Sequence, residues 1–336
     1  MDSNQVTSYQ AFEVTEQDDG SFAQAIVTKD VPSLKEGHVL IKVEYSAINY
    51  KDALSSTGNK GVTREYPHVP GIDASGTVLS SSSDEFKAGQ QVVVTGHDLG
   101  MNTDGGYGQV IHVPESWVHS LPEGFSTQDA AVLGTAGITA SLCIDKLLMT
   151  GIGPESGPVL VTGATGGVGS IAVALLVDMG FEVYAVSGKA DQHERLRALG
   201  VTEVFGREEL SESNKRPLLK GRWAAAIDTV GGVPLENILK SLMPQGTAAI
   251  CGLVSSPALA MTVFPFILRG INLVGIDSAE VSSAKKAAMW AFMQEHSSIL
   301  QGYQDWVTPI TLDQLPEYID RILKGGAAGR TLVKVS

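Results

Sequence analysis

Residues 159–169, Val-Leu-Val-Thr-Gly-Ala-Thr-Gly-Gly-Val-Gly, run from a β-branched stretch through a glycine turn toward an apolar helix. The chemistry such a stretch suits is the binding of a pyrophosphate. Gly166 lets backbone approach phosphate oxygens, Gly163 and Gly167 permit a tight turn, and Gly169 lets helix pack on strand. The helix predicted over 170–179 then offers unpaired N–H groups and a partial positive charge. Read strictly, the pattern is Ala164-x-Gly166-x-x-Gly169, with alanine at the first glycine position. A preceding strand and a following apolar face (Ile171, Leu175, Leu176) favour a dinucleotide site over an ordinary strand–helix turn.

The next strand, expected over 181–186, bears on which dinucleotide. An NAD site presents Asp or Glu to the ribose 2′-hydroxyl about twenty residues past the glycine turn. Here the chain reads Ala185-Val186-Ser187-Gly188-Lys189, without a carboxylate. Ser187 can donate a hydrogen bond and Lys189 a charge to a 2′-phosphate. The third strand, expected over 203–205, ends at Gly206-Arg207, where a second cation fits the same phosphate. Charge-assisted contacts contribute roughly 1.5–3 kcal/mol each, so two favour NADPH over NADH about 100-fold.

The elements that must position these residues follow from composition and pattern. With 336 residues, 43% of them hydrophobic and 18% charged, the chain is long enough for two α/β domains with a large core. A net charge of −13 argues against general nucleic-acid or anionic-membrane partners. The polar start Met1–Tyr9 lacks a signal-like apolar stretch, and no apolar run approaches the roughly 20 residues of a membrane span. A cytoplasmic protein is expected, with Cys143 and Cys251 as buried filler rather than a disulfide.

Short β-type runs over 25–28, 39–45, 76–79, 91–94 and 108–113, separated by Pro, Gly and Ser clusters, suggest a β-rich first domain (residues 1–126). From about Thr127 helices are expected over 129–133 and 136–148. Strands over 159–162, 182–186, 203–205, 224–228, 247–251 and 272–276 then alternate with helices. That pattern predicts a doubly wound parallel sheet within residues 127–281. The tail, 282–336, is expected to return to the first domain.

Ligands of such sheets bind beyond the C-terminal strand ends. Those ends carry Asp228-Thr229-Val230-Gly231-Gly232, Cys251-Gly252-Leu253 and Gly275-Ile276-Asp277-Ser278, a set suited to the nicotinamide side of a cleft. Thr135 is a candidate donor near the nicotinamide ribose or a helix N-cap. Ser278 is a candidate cofactor hydrogen bond. Seven histidines and two cysteines leave little for zinc. The loops that would carry a catalytic metal read Ala47-Ile48-Asn49-Tyr50-Lys51-Asp52 and Pro70-Gly71-Ile72-Asp73, so no metal is expected. Metal-free chemistry favours hydride addition to an activated double bond, where charge delocalises into an enolate, over reduction of a plain ketone.

These residues resemble the medium-chain dehydrogenase/reductase superfamily in its zinc-independent quinone oxidoreductase branch, and within it the YhdH/YhfP (acrylyl-CoA reductase) group. The resemblance is carried by Asn49-Tyr50-Lys51-Asp52, Pro70-Gly71-Ile72-Asp73, Gly134-Thr135-Ala136-Gly137 and the 161–169 turn. Asp228–Gly232, Pro265–Gly270, Gly275–Ser278 and Gly329–Val333 extend it over nearly the whole chain. It implies a GroES-like catalytic domain completed by the C-terminal tail, a Rossmann domain, and NADPH as hydride donor. The residues it implies at the cofactor are Tyr50, Gly166, Gly167, Val168, Gly169, Ser187, Gly188, Lys189, Arg207, Leu253 and Ser278. Relatives often carry arginine at the Lys189 position and asparagine at the Gly325 position.

The expected reaction is hydride transfer to the β-carbon of an α,β-unsaturated acyl-CoA such as acrylyl-CoA. Tyr50 would orient the nicotinamide, relay a proton, or serve only as a wall; Asn49 would polarise the carbonyl or hold the loop. Lys51, Lys60 and Arg64 are candidate cations for the CoA phosphates. A quinone reductase, and a non-catalytic NADPH-binding protein, are the alternatives. The apolar run Leu273–Ile276 suggests a sheet edge that pairs across a two-fold axis in a homodimer.

Overall fold

A computed structural model describes residues 7–336, so the expectation for the polar start at 1–9 falls largely outside the described residues. Fifteen strands follow in chain order: β1 (Ser8–Glu16), β2 (Phe22–Asp30), β3 (His38–Ala47), β4 (Asp73–Ser81), β5 (Gln91–Thr95), β6 (Val110–Pro114), β7 (Val118–Ser120), β8 (Val159–Thr162), β9 (Val183–Val186), β10 (Glu203–Phe205), β11 (Trp223–Asp228), β12 (Leu242–Ile250), β13 (Asn272–Gly275), β14 (Val307–Thr311) and β15 (Arg330–Lys334). The chain divides into two compact units, one of residues 1–135, 279–294 and 305–336, the other of 136–278 and 295–304. The expected boundary at 126/127 falls nine residues before the division at 135/136 and that at 281/282 three residues after the division at 278/279, and the segment 295–304, expected with the tail, groups with the second unit.

In the first unit seven strands form a sheet of order β14-β15-β3-β4-β5-β7, with β6 also on β3, beside the antiparallel hairpin β1–β2. The tail strand β15 pairs antiparallel with β3, which places Arg330 near Ile48-Asn49 in register. Its core includes Phe12, Ile41, Val43, Val94, Ile111 and Val333, mostly β-branched side chains suited to a pleated, half-buried surface. β1 and the full length of β2 were not expected from sequence, because polar Gln10, Glu13 and Thr15 interrupt the apolar pattern.

The second unit is a six-stranded parallel sheet of order β10-β9-β8-β11-β12-β13, the arrangement of a doubly wound dinucleotide-binding fold. The central β8 and β11 are buried at every residue, as expected of strands covered on both faces. The two helices expected over 129–133 and 136–148 are one run, Thr127–Met149, broken at Gly134 (φ 47°, ψ −148°). By length and composition this helix could cross a membrane, contrary to the sequence expectation, but 72% of its apolar window is buried inside the protein.

Candidate functional site

In the second unit, β8 ends at Thr162, Gly163 follows, and the helix Gly167–Asp178 begins after Gly166, its N-cap. Gly163 has φ +57°, a region that glycine adopts without steric cost. A side chain at Gly169 would put a Cβ 2.8 Å from the Gly163 carbonyl carbon, so helix and turn meet only because that position is bare. Gly166, Gly167, Val168 and Gly169 therefore form the tight turn and first helical turn that an anion site needs. Next to β8, the Asp228 carboxylate at the end of β11 accepts from Thr162 Oγ1 (2.6 Å) and the Gly231 N–H (2.7 Å). Burial raises its pKa and these hydrogen bonds pull it back.

Ser187, Gly188, Lys189 and Arg207 are brought together at the ends of β9 and β10. The buried Ser187 hydroxyl meets Thr165 Oγ1 at 2.9 Å and accepts from the Lys189 backbone N–H at 3.1 Å. The Arg207 guanidinium lies over Gly188: a Cβ there would stand 2.7 Å from its central carbon and closer still to Nε and Nη2. Arg207 makes no ion pair among the described residues. A bare Cα with the Arg207 guanidinium over it, beside Ser187 and Lys189 in sequence, is chemistry that fits a 2′-phosphate. Ser278 accepts from Thr139 Oγ1 at 2.8 Å, and Leu253 is exposed after β12. Cys143 and Cys251 are free thiols, and a hydrogen bond with Cys251, then burial, push the Cys143 pKa well up.

In the first unit, the expected loops meet around two buried carboxylates. Asp73 Oδ2 accepts from Asn49 Nδ2 (2.8 Å) and lies 3.4 Å from Arg330 Nη2; Oδ1 accepts from the Thr135 N–H (2.8 Å) and hydroxyl (2.7 Å). Arg330 also donates to the Val132 carbonyl (2.8 Å) and Asn49 Oδ1 (3.1 Å). Both ends of the Asn49 amide are thus engaged by protein, and the Thr135 hydroxyl proton is directed at Asp73. Burial raises the Asp73 pKa, with Arg330 the largest opposing influence. Gly134 is required here: its Cβ would fall 2.5 Å from Asp73 Oδ2. Tyr50 begins the helix Tyr50–Ser56 with its side chain 40% exposed. Asp52, three residues past Asn49, accepts from the Asn49 N–H at 2.7 Å.

Sequence reasoning singled out neither Asp52, Asp73 nor Arg330 as a site residue, although each stands in a quoted motif. Their only signal was a charge bordering an apolar stretch, which usually marks a solvated strand end. Of the CoA candidates, Lys60 is paired with Glu16 at 2.5 Å and lies 4.8 Å from the Tyr66 ring centroid. Among the described residues no group of three or more His, Cys, Asp or Glu could hold a metal ion.

Residues 35–123 match the alcohol dehydrogenase GroES-like domain, and residues 167–295 the zinc-binding dehydrogenase family. The chain is 41% identical over 321 residues to the acrylyl-CoA reductase AcuI of Ruegeria pomeroyi, covering 96% of this chain and 97% of that protein. It is similar to the crystal structure of the Salmonella enterica YhdH oxidoreductase in complex with NADP (TM-score 0.92, 42% identity, 97% of this chain and 100% of that one). It is also similar to Bacillus subtilis YhfP with NAD bound (TM-score 0.92, 38% identity, 98% and 99%). The chain belongs to the medium-chain dehydrogenase/reductase family, in the group that contains acrylyl-CoA reductase AcuI, YhdH and YhfP.

Proposed function

We propose that this protein is an NADPH-dependent, metal-free reductase of activated carbon–carbon double bonds, with an α,β-unsaturated acyl-CoA such as acrylyl-CoA as substrate. Bound NADPH supplies the hydride. The observation that carries the metal-free reading is the pairing of Asp73 with Arg330: a guanidinium already neutralises the carboxylate at the head of β4. Without a Lewis acid, a substrate that spreads charge into an enolate is the one such a site can reduce.

The chain's own residues divide the work. The Gly166–Gly169 turn receives the pyrophosphate, and Ser187, Lys189 and Arg207 the 2′-phosphate. Leu253 and Ser278 join the cofactor set, whereas Thr135, expected as a donor near the nicotinamide ribose, directs its hydroxyl proton at Asp73 and could only accept there. Asn49, with its amide held by Asp73 and Arg330, sets the loop rather than polarising substrate. The exposed Tyr50 orients the nicotinamide or relays a proton. Arg64 and Lys51 remain the candidates for the CoA phosphates, since the Lys60 charge is already balanced by Glu16.

We place the enzyme in the cytoplasm as a homodimer, without nucleic-acid or membrane partners. The dimer reading is supported by β13, the last strand of its sheet, and by the exposed apolar Val263, Phe264, Ile267 and Leu268 nearby in sequence. A monomeric mass at micromolar concentration would contradict it.

The reaction is tested by mixing protein with NADPH and acrylyl- or crotonyl-CoA, then 1,2-naphthoquinone, and following loss of nicotinamide absorbance. The CoA thioesters are expected to oxidise NADPH faster than the quinone. Oxidation by quinone alone would transfer the assignment to quinone reduction. No oxidation with any acceptor would leave a cofactor-binding protein.

A further inference from the structure

Asp52 is a fully buried carboxylate two residues past Tyr50. Its Oδ2 accepts the Asn49 N–H at 2.7 Å and its Oδ1 accepts the Ile72 N–H at 2.8 Å. One side chain therefore ties the loop entering Tyr50 to the loop that delivers Asp73. The groups facing it are few. The Asn49 amide lies 3.3 Å from Oδ2, the Asp73 carboxylate stands at the head of β4, and the buried Tyr107 phenol approaches from the turn before β6. The Arg330 guanidinium of β15 reaches Asp73, leaving two carboxylates against one guanidinium.

We propose that Asp52 is a positioning residue: its ionised carboxylate clamps the Asn49-Tyr50 loop onto the Ile72-Asp73 loop, and turnover is fastest in that form. The inference rests on the reductase reading above. Burial, reinforced by the Asp73 charge and opposed by the Asn49 and Ile72 N–H groups, pushes the Asp52 pKa up to about 7. Stability and turnover then run in opposite directions with pH. The folded chain holds this proton more tightly than the unfolded one, so the stability it contributes is lost as pH rises through about 7. The ionised form accepts stronger hydrogen bonds from both loops, so turnover rises over the same interval. A purely structural residue would move both the same way.

The test measures kcat at saturating NADPH and crotonyl-CoA, and Tm, from about pH 5.5 to 8.5, in the wild type and Asp52→Asn. In the wild type, kcat is expected to rise roughly tenfold across a break near neutrality while Tm falls. In Asp52→Asn an amide NH2 faces a backbone N–H; kcat at high pH is expected to drop about tenfold or more and lose the break. The NADPH dissociation constant should change less than kcat does, since the residues proposed for its pyrophosphate and 2′-phosphate, Gly166–Gly169, Ser187, Lys189 and Arg207, belong to the second unit. A flat wild-type profile, an unchanged break in the variant, or kcat and Tm moving together would overturn the proposal.

If Asp52→Asn fails to fold, hydrogen exchange on the wild type decides. Protection of the Asn49 and Ile72 amides, corrected for intrinsic rates, must strengthen through the same break; its absence refutes the clamp. Failure of the reductase reading shows separately, as no NADPH oxidation at any pH. The exchange measurement still judges Asp52 in that case.

Discussion

Adding one methyl group at Gly188 should uncouple NADPH from NADH. The Arg207 guanidinium rests on the bare Cα of Gly188, and an alanine Cβ would sit 2.7 Å from its central carbon, where ordinary contact begins at 3.4 Å. The guanidinium must retreat by the better part of an ångström. It ends a flexible side chain, so the fold should tolerate the shift. A charge-assisted hydrogen bond to a 2′-phosphate loses its geometry over such a distance, at a cost of about 1.5–3 kcal/mol. That corresponds to a rise of about 10- to 150-fold in the NADPH dissociation constant. NADH carries no 2′-phosphate, so its affinity should change less than about twofold.

The assay is a fluorescence titration of wild type, Gly188→Ala, Arg207→Ala and the double variant with each cofactor at one ionic strength. Both single variants act on the same cation, so the double should lose little more than Arg207→Ala alone. Lys189→Ala should show the same NADPH-selective loss through a separate charge. Unchanged NADPH affinity in Gly188→Ala would refute the stacking argument. Equal losses for NADPH and NADH would refute the phosphate assignment itself. The comparison matters because one similar structure holds NADP and another NAD.

Three further perturbations follow from the first unit. Gly134→Ala places a Cβ 2.5 Å from Asp73 Oδ2 at a φ of 47°, and should cost about 2 kcal/mol or more of stability, read as a lower denaturant midpoint with unchanged m. Arg330→Met leaves Asp73 buried without its guanidinium; a loss of about 3–5 kcal/mol is expected, and a near-neutral result would show that the pair contributes little. His97 and His119 are held to pKa values of about 4, first by burial and next by the nearby Lys286 charge. The unfolded chain takes up these protons first, so their contribution to stability is lost as pH falls from about 6.5 toward 4. The raised carboxylates Asp52, Asp73 and Asp228 act in the opposite direction, so the measurement is the difference between wild type and His119→Gln, whose Tm should decline less on acidification.

The parallel sheet was legible because its information is local. β8 and β11 are buried from end to end and apolar up to their last residues, Thr162 and Asp228, the glycine turn follows β8 at once, and the residues proposed for the cofactor phosphates lie at the ends of recognisable strands. The β-rich unit was read less completely. β1 mixes Gln10, Glu13 and Thr15 with its buried residues, and a strand with one solvated face lacks the continuous apolar run of one covered on both. The helix break at Gly134 showed only as a glycine between two helical stretches. That an Asp73 oxygen fills the space where its side chain would stand is invisible along the chain.

Sequence by itself determined the two fold types and the glycine turn between β8 and the helix that follows it, since each depends on neighbours a few residues away. Tertiary structure alone decided what the first unit does with its charges. Arg330 reaches Asp73 across 257 positions, and Thr135 reaches it across 62. Only a folded sheet brings such residues within hydrogen-bonding distance, and only burial turns ordinary carboxylates such as Asp52 and Asp73 into groups that must be paired, hydrogen-bonded or protonated.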